Sequence, residues 1–185
     1  MAEKQHTRWI WEHNLYDKTW AEVRGSSGFD PAAQEALRVG TSIAEPLPTL
    51  RIDEVTPGEH PDFLLHPAYV ITSERLTRLI IDTGARVQLL PVRMKRSPAR
   101  YQVVNLLEHI DAFDEAASKV RRWPDGTIRA VKKVVLRPLP AGTPRLFRVA
   151  ALPWLWVADD ELRCSVEDAC TGAGRFLAPD KFKFG

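Results

Sequence analysis

A chain of 185 residues with 44% hydrophobic and 27% charged side chains can bury about 70% of its unfolded surface, enough for one solid core. Its 10 glycines and 14 prolines exclude collagen-like, coiled-coil and wholly disordered chains, and two cysteines exclude a disulfide scaffold. With 26 cations against 24 carboxylates, net +2, no overall field draws the molecule to a nucleic acid or an anionic membrane.

Residues 1–8 lead into Trp9 and Ile10 without the apolar stretch of a secretory signal, so a cytoplasmic protein is expected. The longest apolar run, 149–158, contains Pro153 and is about half the length of a bilayer crossing, so no membrane span is expected. Trp9-Ile10-Trp11 and Leu15-Tyr16 read as an opening strand or strand pair, which Gly25-Ser26-Ser27-Gly28 breaks. Asp30 and Pro31 predict the start of a short helix ending at Val39, with Gly40 as its C-terminal cap. Pro46, Pro48, Pro57, Pro61 and Pro67 predict an extended, surface-hugging connection over 45–67, with no helix and limited ladder pairing.

Ala68-Tyr69-Val70-Ile71 then reads as a short strand, with Thr72 or Ser73 capping a helix whose stripe is Leu76, Leu79, Ile80 and Thr83, ended by Gly84. Strands are predicted over 86–92 and 101–113 around a basic loop, Arg93-Met94-Lys95-Arg96-Ser97-Pro98. Trp123-Pro124-Asp125-Gly126-Thr127 is a strong turn signal, because proline presets the first corner and glycine takes positive φ freely. Further strands are predicted over 128–136 and 146–149. The strand-then-helix grammar returns at 155–158, with Asp159 or Asp160 as cap, Leu162, Val166, Ala169 and Cys170 as stripe, and Gly172 as stop. Both units close on Thr-Gly-Ala, at 83–85 and 171–173, a weak internal repeat. Residues 175–177, with Phe182 and Phe184, complete an expected α+β architecture: a single domain with a mostly antiparallel, twisted sheet of about seven strands and about three helices.

Candidate chemistry is sparse. His6, His13, His60, His66 and His109 form no zinc spacing with one another or with a cysteine, so neither metal nor cofactor is expected. Cys164 and Cys170, nearly two helical turns apart, are too far for a disulfide and read as buried thiols. Glu108-His109-Ile110-Asp111, with Asp114 and Glu115 behind, is the most enzyme-like cluster, and a small hydrolase using His109 with nearby carboxylates is one reading. Strand alternation turns Glu108 and His109 to opposite faces, which favours a solvated strand end. Ser73, Ser97, Ser118 and Ser165 lack a nucleophile elbow, and Gly172-Ala173-Gly174 follows its helix, the wrong polarity for an anion site.

Arg93, Lys95, Arg96 and Arg100 form one basic set, and Lys119, Arg121, Arg122, Arg129, Lys132 and Lys133 a second. Cations guarding a hairpin tip and an edge strand are the plain reading; an acidic protein partner or an RNA-binding module is the alternative. Of the six tryptophans, Trp154 and Trp156 are expected in a strand, and Trp20 and Trp123 in solvent.

The order of these signals resembles the immunity protein 11 family, the myxobacterial-type immunity domain of bacterial polymorphic-toxin systems. The likeness runs through Val70-Ile71-Thr72-Ser73-Glu74-Arg75-Leu76, then Tyr101-Gln102-Val103-Val104-Asn105-Leu106-Leu107 with Asp111-Ala112-Phe113-Asp114. It continues through Leu146-Phe147-Arg148-Val149 and Leu155-Trp156-Val157-Ala158-Asp159-Asp160-Glu161-Leu162 to Thr171-Gly172-Ala173-Gly174-Arg175-Phe176, where Gly174 is one residue more than the usual pattern. It is loose over the more variable 1–60 and best over 68–177. It implies an intracellular protein that binds and blocks a cognate secreted toxin domain, with no catalytic residue. Glu108, Asp111, Asp114 and Trp123, at or near the predicted end of one hairpin, are the candidate partner contacts.

Overall fold

The computed structural model describes residues 8–12, 23–55, 62–64, 66, 68–95, 100–171 and 174–184. In chain order the elements are β1 (Arg8–Glu12), β2 (Val23–Ser27), α1 (Pro31–Val39), β3 (Leu50–Val55), β4 (Phe63–Leu64), β5 (Ile71–Ser73), α2 (Glu74–Asp82) and β6 (Val87–Met94). They continue as β7 (Tyr101–Leu106), β8 (His109–Ile110), β9 (Lys119–Arg122), β10 (Ile128–Lys133), β11 (Leu146–Val149), β12 (Leu152–Asp159), α3 (Asp160–Ala169) and β13 (Arg175–Leu177). The expected strand at Leu15-Tyr16, Trp20 and the Gly172 helix stop lie outside the described residues.

The helix starts follow the capping chemistry. Ala33 N–H donates to Asp30 Oδ1 at 2.7 Å, Leu76 N–H to Ser73 Oγ at 3.2 Å, and Leu162 N–H to Asp159 Oδ1 at 2.8 Å. Each bond satisfies an amide that the first helical turn would leave unpaired. Gly40 ends α1 in the left-handed region at φ 76°. A side chain there would collide with Arg148, whose Nε lies 2.6 Å from where a Cβ would sit.

The α+β class and the three helices hold, but the expected single sheet of about seven strands does not. The described residues form thirteen strands in three sheets: β13-β1-β12-β11-β8, β2-β3-β6-β7-β5-β4, and the separate pair β10-β9. Both larger sheets are mixed, because β3 runs parallel to β6 and β8 parallel to β11. The predicted 101–113 strand breaks in two: β7 pairs with β6, whereas β8 crosses to β11. Nothing in Val103-Val104-Asn105-Leu106-Leu107, apolar but for one buried asparagine, marks that change of sheet. The proline-rich connection hides β3, a ladder strand with Leu50 and Ile52 buried; Pro46, Pro48 and Pro57 flank it without interrupting it. The strand expected at 68–71 lies at β5, and Gly25 to Ser27, expected to break structure, belong to β2. Among the thiols, Cys164 is exposed and Cys170 half-buried, so the buried-pair expectation fails.

The two large sheets share a core. Val104 and Leu106 of β7 meet Leu146, Trp156 and Ala158 of the other sheet, with α2 and α3 adding Leu76, Ile80, Leu162 and Val166. Strand alternation on β12 sends Leu155 and Val157 to the opposite face, where they pack with Phe113, Val131, Phe147 and Phe182. Arg148 ties three elements together. Its guanidinium donates to the carbonyls of Leu106 (2.7 Å), Leu37 (2.9 Å), Arg38 (3.2 Å) and Pro153 (2.6 Å), capping the C-terminal end of α1 from the neighbouring sheet.

Candidate functional site

The two-stranded sheet stands apart from the larger ones, and its sequence explains its two faces. Val120, Ile128 and Val131 turn inward against the Phe147, Val149 and Val157 layer. Lys119, Arg121, Arg129, Lys132 and Lys133 are exposed. The segment 123–127 closes the hairpin as its composition predicts. Trp123 N–H donates to Thr127 O at 2.8 Å, Gly126 N–H to Trp123 O at 2.9 Å with Gly126 at φ 86°, and Asp125 Oδ1 accepts from Thr127 N–H at 2.9 Å and Thr127 Oγ1 at 2.6 Å. The Arg122 guanidinium donates to both Gly126 O and Glu115, bracing the turn. At the other end, Val131 exchanges two backbone hydrogen bonds with Phe184, at 2.8 and 2.9 Å. Trp123 is 50% exposed, and the Arg129 guanidinium lies 4.4 Å from its ring centroid. The ring is therefore presented to solvent already ordered by its neighbour.

The four candidate contacts are not brought to one spot. Trp123 occupies the hairpin tip. Asp114 lies at the opposite end: its amide donates to Val135 O at 3.0 Å, and its carboxylate accepts from Ala117 N–H at 3.0 Å. Asp111 pairs with Arg137 at 2.7 Å, and Glu108 with Arg86 at 3.2 Å. Three of the four thus have internal partners, and Trp123 alone is an open apolar surface.

His109 is held between carbonyls, with Nδ1 3.1 Å from Leu107 O and Nε2 2.8 Å from Val39 O. Neither ring nitrogen is directed at a carboxylate. A second histidine, which sequence reasoning passed over, contacts a serine: His66 Nε2 lies 3.0 Å from Ser26 Oγ. Its tautomer is the reverse of the one catalysis needs. Ala68 N–H donates to Nδ1 at 3.2 Å, so the ring proton sits on Nε2 and is donated to the serine, leaving no lone pair to take a proton from it. Burial pushes the imidazole below its ordinary range, which keeps it neutral. His66 stacks on Tyr69 with ring centroids 4.3 Å apart.

These rings line a cleft of about 430 Å³ with Trp154, Trp156 and Arg148. Arg148 is 4% exposed, and burial lowers its guanidinium to about 10, so it stays charged at neutral pH. Four backbone carbonyls already occupy four of its five N–H donors. A second polar node joins α2 to the end of α3. Buried Asp62 accepts from Ser73 Oγ (2.5 Å), from Arg75 Nη2 (2.6 Å) and from the Thr171 amide (2.9 Å). Desolvation opposes its ionisation, but the bonds from Arg75, Ser73 and Thr171 outweigh it and hold the carboxyl below its usual range. Cys170 beside it is pushed up to about 11, by burial first and then by the Asp62 charge, which makes it a poor nucleophile.

Among the described residues no three His, Cys, Asp or Glu side chains gather as metal ligands, and no helix is long and apolar enough to cross a membrane. No family model matches the chain, and no curated protein matches it.

Proposed function

We propose that this chain is an immunity protein of a bacterial polymorphic-toxin system, binding a cognate secreted toxin domain in the cytoplasm of the producing or sibling cell and neutralising it by occlusion. The observation that carries the reading is Trp123, half open to solvent on a braced turn with Arg129 against its ring. Tryptophan and arginine are the side chains that most often anchor protein interfaces, and an anchor ordered before encounter loses little entropy on binding. The order of sequence motifs supports the same reading through its likeness to the immunity protein 11 family. Occlusion needs a stable scaffold and about 800 Å² of complementary surface, and no reactive group. The two histidines best placed for acid–base work already have their ring nitrogens engaged, His109 by two backbone carbonyls and His66 by the Ala68 amide and the Ser26 hydroxyl, which favours binding over turnover.

The test is genetic. The reading expects a large secreted protein in the reading frame immediately upstream, and a different kind of product there counts against it; the C-terminal domain of that protein is induced in a heterologous host with or without this chain. Survival only when the chain is co-expressed is the expected result. Equal killing in both cultures overturns the proposal.

A further inference from the structure

The charge of the molecule is divided unevenly. Residues 119–133 hold six cations and one carboxylate, net +5, so the other 170 residues, with 20 cations against 23 carboxylates, are net −3. Ion pairing does not cancel the hairpin charge. Arg122 pairs with Glu115, but Lys119, Arg121, Arg129, Lys132 and Lys133 have no carboxylate partner among the described residues. These side chains stand on a ribbon whose other face is packed. At about 3.4 Å per residue the ribbon is roughly 15–20 Å long, the scale of one protein-interface patch.

We propose that the outer face of β9 and β10 receives an acidic face of the toxin domain, with Trp123 inserting as the apolar anchor and the surrounding cations steering the encounter. This rests on the immunity reading and adds to it the sign of the partner's surface. A nucleic acid is the weaker occupant for two reasons. A strand of bases needs several free stacking platforms, whereas the one exposed aromatic on the hairpin itself among the described residues, Trp123, already carries Arg129 against its ring, and the exposed ring bridged beside it, Phe184, already lies against Trp154 at 4.5 Å. A polyanion longer than the ribbon would also run onto a body that is net −3, while an acidic protein patch can end where the ribbon ends.

The experiment measures association and dissociation of the full chain with an inactivated form of that upstream-encoded toxin domain, at about 50 and 300 mM salt. The variant carries Arg121→Glu, Lys132→Glu and Lys133→Glu, all exposed, and its thermal melting is checked against wild type. The proposal predicts an association rate lowered at least about tenfold in the variant, dissociation changed less than about threefold, and a salt dependence confined to wild type. The wild-type salt series stands by itself should the variant melt early. Unchanged, salt-insensitive kinetics refute the surface while leaving the immunity reading intact. No binding by wild type, together with no protection in cells, refutes the immunity reading and with it this occupant. A 20-nucleotide single-stranded RNA that binds wild type at 150 mM salt and loses that binding in the variant, while toxin kinetics stay unchanged, assigns the ribbon to nucleic acid and overturns the proposal.

Discussion

Replacing Arg148 with methionine keeps most of the side-chain volume but removes the guanidinium that joins α1 to both large sheets. Four carbonyls, those of Leu37, Arg38, Leu106 and Pro153, lose their donor in a site that is 4% exposed. A hydrogen bond from a charged donor contributes about 1.5–3 kcal/mol, and part of the gross loss is offset because no cation is then buried. The expected net destabilisation is about 3–5 kcal/mol. Urea unfolding followed by tryptophan fluorescence reads this as a lower midpoint at unchanged slope, and a thermal melt as a fall of roughly 10 °C. Arg148→Lys, which keeps the charge but not the fork, should recover less than half of the loss. A methionine variant within about 1 kcal/mol of wild type would refute the view that this guanidinium holds the layers together.

Gly40→Ala should destabilise by about 2–3 kcal/mol, since φ is 76° and the new Cβ would fall 2.6 Å from Arg148 Nε and 2.7 Å from Leu106 O. Because both changes strike one contact, the double variant with Arg148→Met should lose less than the sum, measured by a double-mutant cycle. Asp62→Asn should cost about 1–3 kcal/mol near neutral pH. The folded carboxyl titrates below its ordinary value, so its contribution is present above about pH 4 and disappears as pH falls through the folded value; the wild-type advantage in urea midpoint should shrink between pH 6 and pH 3. His66 has the same sign in a higher window. Its folded imidazole takes a proton less readily than the unfolded one, so stability should drop as pH falls below about 6.5, and His66→Gln should flatten that slope.

Local grammar was readable wherever one residue governs one backbone group. The Asp30, Ser73 and Asp159 caps and the 123–127 turn all follow from side-chain reach and allowed dihedrals, and all appear in place. Partition among sheets was not readable, because it depends on pairings between distant segments. Val103 to Leu107 is apolar except for Asn105 and carries no turn residue, yet the chain leaves one sheet at Leu106 and enters another at His109. Leu50 and Ile52 carried a period-two signal that nearby prolines obscured. At the candidate site, Trp123 could be picked out because a turn must face solvent. The partners of Glu108 and Asp111, Arg86 and Arg137, lie 22 and 26 residues away, and no local pattern links them. The charge division between 119–133 and the rest was present in the sequence, but it became a surface only once the ribbon's inner face was seen to be packed.

Trp123→Ala gives the most direct measurement. The open half of an indole, once covered by a partner, is worth about 3 kcal/mol, so the variant should bind the toxin domain about 100-fold more weakly in titration calorimetry. Its unfolding free energy in urea should stay within about 1 kcal/mol of wild type, since half of the residue faces solvent and Trp123 belongs to none of the three core clusters. Wild-type affinity in the alanine variant would contradict the account.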